Sequence, residues 1–215
     1  KSFLKRNILI TIDGPAASGK GKISNYISKK YKLKHIDSGI LYRSLAFKLL
    51  KNNINLDSVH DIKNSLKFIN TISFRKYKQL RNESISKAAS KIAIHQSVRY
   101  FINKIQQNYV NENIKYVGFV VDGRDIGSKV FKNADLKLYI EVNEENRAKR
   151  RYKQLIDTGE TSIYPKILKE IKLRDHKDKS RKHSPLVIPN DAIVINNNGT
   201  FLNTIKMINS LIKDL

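Results

Sequence analysis

A glycine-rich stretch near the beginning of the chain has the residue types and spacing of a loop that binds phosphate. It reads GPAASGKGK over residues 14–22 and places Lys20 where a lysine reaches the β- and γ-phosphates of a nucleotide. In the usual pattern a Ser or Thr follows that lysine directly, and its hydroxyl binds Mg²⁺. Gly21 and Lys22 follow here instead. The stretch therefore predicts phosphate chemistry on a nucleotide and leaves the role of its last residue open.

Two later motifs offer acidic and basic side chains that suit a second phosphate. The first, HIDSGILYR, contains Ser38 at its strand end and Arg43 about one helical turn later. The second, VVDGRDIG, ends a hydrophobic run with Asp122, in the manner of a Walker-B acid near Mg²⁺, and continues with Arg124 and Asp125. Open α/β sheets bind ligands at the carboxyl ends of their strands. Both motifs are therefore expected at the edge of the sheet that carries the glycine-rich loop.

Two basic segments towards the end of the chain have arginines at helical spacing. Arg147, Arg150 and Arg151 lie at i, i+3 and i+4, so they share one helical face. The second segment, LRDHKDKSR, can place Arg174, Asp178 and Arg181 on another face. Each set alone is also what a solvated basic surface would show. Together they are typical of a mobile lid whose arginines neutralise negative charge on a transferring phosphoryl group.

Strands that alternate with helices would position these motifs. Residues 7–12 form a β-branched run and residues 19–30 have helical apolar spacing, so the glycine-rich loop joins a strand to a helix, as a phosphate loop must. Further strands are expected near 35–36, 116–121, 136–140 and 192–195. Further helices are expected over 39–50, 83–111, 144–156 after an Asn143 cap, 163–176 and 201–214. This alternation predicts an α/β fold with a parallel sheet.

Composition narrows the class of protein. The 215 residues carry 42 Lys and Arg against 19 Asp and Glu, and a formal net charge of +23 attracts polyanions. Nucleic-acid binding is therefore a competing interpretation, although the charge is spread along the chain without a basic arm. The absence of cysteine excludes disulfides and thiolate chemistry. No apolar stretch approaches the roughly 20 residues that cross a bilayer, so the cytosol is the expected compartment.

Taken together, ITIDGPAASGKG, IDSGILYR, VVDGRDIG, NRAKRR, LRDHKDKSR and DAIVI resemble the motifs of bacterial cytidylate kinases, in order and over nearly the whole chain. The resemblance implies transfer of the γ-phosphoryl group of ATP to CMP or dCMP, with Mg²⁺ as cofactor. It implies the P-loop NTPase fold, with about five parallel strands flanked by helices, an NMP-binding insertion and a helical lid. It further implies a cytoplasmic monomer that binds these nucleotides and has neither a specific nucleic acid nor a membrane as partner.

The resemblance also implies a role for each matching residue. The ATP loop would consist of Gly14, Pro15, Ala16, Ala17, Ser18, Gly19, Lys20, Gly21 and Lys22. The CMP phosphate would be held by Arg43 and Arg124, cytosine by Ser90, Arg99 and Asp125, and the ribose by Ser38, Arg174 and Asp178. The residues that act on the transferring phosphoryl group would be Lys20, Arg124, Arg147, Arg150, Arg151 and Arg181. Asp122 would lie near Mg²⁺ and hold it through water.

By the same resemblance the chain divides into a core, an insertion and a lid. The core would comprise residues 1–51, 83–144 and 182–215, the NMP-binding insertion 52–82 and the lid 145–181. The insertion is polar, contains one strand-like run at 71–74 and is short for the long bacterial form. In the family a Thr whose hydroxyl touches the ATP α-phosphate stands where this chain has Lys22. A lysine there could replace that contact with a charge or point outward.

Two alternatives remain open on the sequence. One is a P-loop kinase for another acceptor, such as UMP, AMP or a hydroxyl group. The other is a P-loop protein that uses its charge of +23 to bind nucleic acid. Turnover with a panel of acceptors tests the first alternative. Binding that weakens steeply with salt, without acceptor-specific turnover, would indicate the second.

Overall fold

Five strands and eight α-helices make up the part of the chain that the computed structural model describes, residues 7–75, 77–157, 159 and 161–215. The strands are β1 (Ile8–Asp13), β2 (Lys34–Asp37), β3 (Gly118–Gly123), β4 (Leu136–Glu141) and β5 (Ile193–Asn196). The helices are α1 (Lys20–Tyr31), α2 (Ser38–Lys51), α3 (Val59–Leu66), α4 (Glu83–Ile92), α5 (Gln96–Glu112), α6 (Glu144–Asp157), α7 (Tyr164–Ser180) and α8 (Phe201–Lys213). Single turns of 3₁₀ and π helix occur at Lys78–Arg81 and Ile126–Val130.

The strands form one sheet in the order β2-β3-β1-β4-β5. The central strand β1 pairs in parallel with β3 and with β4, and its side chains are almost all buried. This is the pattern of a strand that is covered on both faces of a parallel sheet. Because Asp13 pairs with Gly123, β1 and β3 end at the same edge of the sheet. The predicted α/β fold, a five-stranded parallel sheet flanked by helices, is confirmed.

Helix α1 begins directly after the glycine-rich loop because Gly19 can take a backbone conformation that other residues avoid. Its φ of 89° lies in the left-handed region. A side chain there would also collide with Asn197, since a Cβ atom would lie 2.8 Å from the amide nitrogen Nδ2. From this start, α1 turns Ile23 and Ile27 into the main hydrophobic core beside the sheet.

Helices α6 and α7 form a hairpin with a small hydrophobic cluster of its own. The side chain of Asn143 accepts a hydrogen bond from the backbone N–H of Asn146 at 2.8 Å, which confirms the predicted helix cap. The buried members of the cluster are Ala148, Leu155, Ile167 and Ile171. A hairpin that packs on itself can keep its internal structure as a lid would need to.

One predicted strand, at residues 71–74, is absent from the structure. The backbone there is irregular, and the carbonyl of Thr71 accepts a hydrogen bond from the Lys48 side chain. Ile72 is nevertheless buried. The apolar residues that suggested a strand therefore pack into the molecule without joining a ladder.

The single long helix expected over residues 83–111 is in fact two helices, α4 and α5. The break lies between Ala93 and His95, and His95 has an extended backbone. Arg99 stabilises the break, since its Nε donates to the carbonyl of Ala93 at 2.7 Å. A side chain from the second helix thus satisfies a carbonyl that the first helix leaves unpaired at its end.

The described residues group into two compact units. The first comprises the chain up to His35 together with Lys115–Leu215, and the second is Ile36–Ile114. The first unit holds β1, β3, β4 and β5, while the second holds helices α2 to α5. The functional limits of core, insertion and lid stay a prediction. No helix within the described ranges is long and apolar enough to cross a membrane.

Candidate active site

The glycine-rich loop is held in place by side chains that bind its backbone carbonyl groups. Lys20 donates from Nζ to the carbonyl of Pro15 at 3.0 Å, so its side chain folds back along the loop. The carbonyl of Ser18 accepts from Asn197 Nδ2 at 2.8 Å and from Arg150 Nη1 at 3.4 Å. These contacts fix the backbone of the loop before a nucleotide arrives, and such prior fixing favours catalysis by positioning.

Arg147 is buried between the hairpin and the glycine-rich loop. Its Nη1 donates to Asp175 Oδ1 at 3.0 Å and to the carbonyl of Ala16 at 3.2 Å, and its Nη2 donates to Asp175 Oδ2. Its Nε donates to the carbonyl of Val142 at 3.0 Å. One guanidinium therefore joins α6, α7 and the loop. The predicted role of Arg147 at the phosphoryl group stays a prediction.

The other two arginines of α6 have separate surroundings. Arg150 donates from Nη2 to the carbonyl of Asn197 at 2.6 Å, and burial lowers the pKa of its guanidinium. Arg151 donates to the side-chain oxygen of Gln154 on the same helix at 3.2 Å. Of the three arginines that the spacing placed on one face, Arg147 and Arg150 thus both bind carbonyl groups of the glycine-rich loop.

Lys22 contacts an aromatic ring. Its Nζ lies 4.2 Å from the ring centroid of Phe201, the first residue of α8, and the Lys22 side chain is exposed. The edge of Tyr26 packs against the same ring, with centroids 6.0 Å apart. A cation over an aromatic face is a stabilising contact on the protein surface. It favours the outward-pointing alternative for Lys22, whose part in ATP binding stays a prediction.

The acid at the end of β3 is paired with a histidine. Asp122 Oδ2 lies 2.6 Å from His35 Nε2, and both side chains are largely buried. Burial would raise the pKa of Asp122, but the hydrogen bond and charge of His35, together with Lys20, hold it below its usual value. The carboxylate is therefore ionised at neutral pH and lies close enough to the P-loop lysine to interact with its charge.

Asp178 accepts hydrogen bonds from arginines in two parts of the first unit, the segment after β3 and the end of α7. Its Oδ2 accepts from Arg124 Nε at 3.0 Å, and its Oδ1 accepts from Arg181 Nη1 at 3.3 Å. Burial would raise the pKa of Asp178, but the charges of Arg124, Arg174 and Arg181 hold it below its usual value. Four residues that the sequence assigned to CMP or to the lid therefore occupy one cluster. Asp125, next to Arg124, is buried.

The remaining predicted acceptor residues belong to the second unit. Ser38 is buried at the first position of α2, and Arg43 is half-buried more than one turn later. Ser90 is half-buried near the end of α4. Arg99 is buried in α5, with its guanidinium carbon 5.7 Å from the ring centroid of Tyr42. The structure thus brings Arg99 beside α2, the helix that carries Ser38 and Arg43.

Comparison with known proteins decides which family this site belongs to. A family model described as cytidylate kinase matches residues 10–214. The chain belongs to the cytidylate kinase family. The cytidylate kinase of Rickettsia africae (strain ESF-5) is 41% identical over 199 residues, which cover 91% of this chain and 87% of that protein. The cytidylate kinase of Rickettsia bellii (strain OSU 85-389) is 41% identical over 191 residues, 88% of this chain and 85% of the relative.

Solved structures show the same fold at much lower identity. A protein called TT1252 from Thermus thermophilus aligns with a TM-score of 0.51 and 13% identity, over 98% of this chain and 99% of that one. An uncharacterized protein from Eubacterium ventriosum ATCC 27560 aligns with a TM-score of 0.52 and 15% identity, over 98% and 100%. Likenesses this remote support the fold alone.

Membership of the cytidylate kinase family confirms the resemblance inferred from the motifs. The protein is accordingly an ATP-dependent nucleoside monophosphate kinase. Neither the kinase for another acceptor nor the nucleic-acid-binding protein is favoured by these matches.

Four polar residues that hold the candidate site together were not found from the sequence. They are Asp13, His35, Asp175 and Asn197. Asp13 and Asp175 stand inside the motifs ITIDG and LRDHK, so an acid at a strand end and an acid beside a motif arginine were available signals. Asn197 is the middle residue of three consecutive asparagines, and His35 begins the motif HIDSGILYR, but neither has a spacing that points to its partner.

Proposed function

We propose that the protein transfers the γ-phosphoryl group of ATP to CMP or dCMP, giving ADP and CDP or dCDP. The observation that carries the proposal is the arginine cluster around Asp178 in the same unit as a fixed phosphate loop. The phosphate loop suits the phosphate donor, and the arginine cluster suits the phosphate acceptor. The family match supports cytosine as the base of that acceptor.

The reaction needs little covalent chemistry from the protein. A phosphate oxygen of CMP attacks the γ-phosphorus of ATP, and the bond from that phosphorus to the β,γ-bridging oxygen breaks as ADP leaves. The attacking phosphate has a second pKa near ~6, so at neutral pH it is already an anion and no general base is required. Catalysis then consists of positioning and charge neutralisation, which suits a site with many arginines.

The proposed roles follow the matching residues. The loop at residues 14–22 binds the ATP phosphates, with Lys20 on the transferring group. Arg43 and Arg124 hold the CMP phosphate. The base is read by Ser90, Arg99 and Asp125, and the ribose by Ser38, Arg174 and Asp178. The arginines proposed to neutralise the transferring phosphoryl group are Arg124, Arg147, Arg150, Arg151 and Arg181.

Asp122 fits a magnesium ion that is bound mainly by nucleotide phosphates and water. The carboxylate is ionised, and Lys20 acts on it electrostatically. Within the described ranges no three acidic or histidine side chains converge as a metal cage would require. Mg²⁺ often uses only one or two carboxylates together with phosphates. When bound, the ion neutralises charge on the β- and γ-phosphates, and Asp122 would hold it through water.

The proposal also assigns the motions and the setting of the enzyme. Residues 145–181 form the lid, residues 52–82 form the NMP-binding insertion, and the other residues form the core. The α6–α7 hairpin has a hydrophobic cluster of its own, which supports movement of the lid as one piece. We place the reaction in the cytoplasm and assign it to a monomer without a nucleic-acid or membrane partner.

Product analysis tests the proposed function. Purified protein is incubated with ATP, Mg²⁺ and CMP, and the nucleotides are separated by anion-exchange chromatography. The proposal predicts equal amounts of CDP and ADP, and none of either without protein. ADP without CDP would indicate hydrolysis instead of transfer, and a folded protein that makes no CDP would contradict the proposal.

A further inference from the structure

Asp13 connects two loops of the first unit through its carboxylate. It is the last residue of β1 and is almost completely buried. Its Oδ1 accepts the backbone N–H of Ile126 at 2.8 Å, and its Oδ2 accepts the backbone N–H of Gly127 at 2.7 Å. Each carboxylate oxygen thus binds one N–H group of the segment that follows the DGRD motif.

The two oxygens of a carboxylate match the two backbone N–H donors at this position, which a neutral amide of the same size cannot do. Both carboxylate oxygens are acceptors, whereas an amide offers one acceptor and one NH₂ group, which would face a backbone donor. Hydrogen bonds to a charged group are also stronger than neutral ones. Burial raises the pKa of Asp13 to about 6. The two backbone hydrogen bonds and the charge of Lys20 lower this pKa, whereas the charge of Asp125 raises it further. At neutral pH most molecules therefore keep the ionised form.

The close approach of the segment to β1 depends on a missing side chain. A Cβ atom on Gly127 would lie 2.8 Å from Thr11 Oγ1 and 3.4 Å from Asp13 Oδ2. It would also lie 3.2 Å from Cδ of Lys137. Only glycine lets the backbone N–H come within hydrogen-bond distance of the carboxylate without a shift of these neighbours.

The place of Asp13 in the chain gives the contact its consequence. The next residue is Gly14, where the ATP loop begins. The two residues before Ile126 are Arg124 and Asp125, which are proposed to bind the CMP phosphate and read the base. The Asp13 side chain therefore connects the start of the ATP loop to the segment that directly follows Arg124 and Asp125.

We propose that Asp13 is a positioning residue that sets the acceptor pair Arg124–Asp125 at a fixed place relative to the ATP loop. It acts through the backbone of Ile126 and Gly127 and does not touch a nucleotide. The inference rests on the proposed function, because that assigns Arg124 and Asp125 to CMP. We call the two hydrogen bonds from Ile126 and Gly127 to the Asp13 carboxylate the clamp. Loss of the clamp should weaken binding of the acceptor and slow transfer, while the separately held ATP loop keeps its affinity for ATP.

Asp13→Asn tests this inference, with Asp135→Asn as the matched control. Asp135 also accepts a backbone N–H of β1 on its carboxylate, from Leu9 at 2.8 Å, but it is exposed at the other end of the strand. Calorimetry gives the Kd values for CMP and for an ATP analogue. Asp13→Asn should weaken CMP binding about tenfold or more, which is the effect of losing one charge-assisted hydrogen bond. It should change ATP binding by less than about twofold. Asp135→Asn should change neither.

Amide hydrogen exchange in the free proteins reports on the clamp directly. Exchange at Ile126 and Gly127 should become faster in Asp13→Asn and stay unchanged in Asp135→Asn. A folded Asp13→Asn protein with unchanged CMP affinity, or with CMP and ATP affinities reduced alike, would overturn the inference. If that variant does not fold, Gly127→Ala disturbs the same junction from the other side and must show the same selective loss.

The two proposals fail in different ways. Wild-type protein that neither binds nor phosphorylates CMP would contradict the proposed function. In that case exchange at Ile126 and Gly127 still decides the clamp, since unchanged exchange in Asp13→Asn would show that the carboxylate does not hold the segment. Normal CMP turnover by the wild type and undiminished CMP affinity in the variant would contradict the inference alone.

Discussion

Arg147 and Asp175 form a buried pair in which the planar guanidinium meets both oxygens of the carboxylate. The same guanidinium donates to the carbonyl of Ala16 in the glycine-rich loop. Helices α6 and α7, the proposed lid, are thus linked to each other and to the glycine-rich loop by one side chain. A link of this kind couples the position of the hairpin to that of the loop.

Removal of this arginine should therefore cost stability. Arg147→Ala would leave Asp175 buried without its partner, and breaking a buried pair from one side costs about 3–5 kcal/mol. Arg151→Ala is the control for stability, because Arg151 is more exposed and donates a hydrogen bond to Gln154 of its own helix. Urea unfolding measures both variants. Equal free energies of unfolding for the two would contradict the structural role of Arg147.

Lys20 should matter for the rate more than for acceptor binding. Its charge is proposed to stabilise the transferring phosphoryl group, so Lys20→Met should lower kcat about 100-fold or more while the Kd for CMP changes little. Lys29→Met, an exposed lysine in the last turn of the same helix, is the control and should keep its kcat. Near-normal kcat in a folded Lys20→Met protein would refute the assignment.

Lys22 should contribute to the stability of the protein through a surface contact and hardly affect ATP binding. Its Nζ lies 4.2 Å from the ring centroid of Phe201. We expect Lys22→Ala to change the Kd for ATP by less than about twofold and to lower the free energy of unfolding by about 0.5–1 kcal/mol, the value of an exposed cation–π contact. Titration calorimetry and urea unfolding check the two values. ATP binding weakened tenfold or more would show that the lysine replaces the missing hydroxyl.

Asp13 should titrate near neutrality in the folded protein. Burial raises its pKa to about 6, above the unfolded value of ~3.9. The native state therefore binds more protons than the unfolded state between these values, and stability from this group is complete below pH ~4 and lost as pH rises through about 6. The change amounts to about 3 kcal/mol. Carbon NMR of the Asp13 carboxyl gives the pKa, and titration below pH 4 would contradict the expected burial effect.

The sequence predicted the features that depend on local pattern. A β-branched run, a glycine-rich turn and helical apolar spacing determine β1, the loop and α1 within a residue or two. The Asn143 cap is equally local, since side chain and backbone partner are three residues apart. The residue types of a phosphate site were also visible, because they occur in short motifs.

Long-range pairing accounts for what the sequence did not predict. Arg147 and Asp175 are 28 residues apart, and helical spacing alone could not show that one would be buried on the other. His35 and Asp122 come from different strands, 87 residues apart, and no local spacing indicates that they pair. The run at 71–74 has strand-like residues, but whether a strand forms depends on a partner edge, which the run itself does not encode.

Competition between acceptors tests the central claim most directly. Wild-type protein receives ATP, Mg²⁺ and equal concentrations of CMP and UMP, and the initial rates of CDP and UDP formation give the ratio of the two kcat/KM values. Uracil offers an acceptor where cytosine offers an amino donor, and one such mismatch in a buried pocket costs about 1–3 kcal/mol. The account predicts that CDP forms at least about fivefold faster than UDP. UDP formation as fast as that of CDP, or no diphosphate at all from the folded protein, would contradict it.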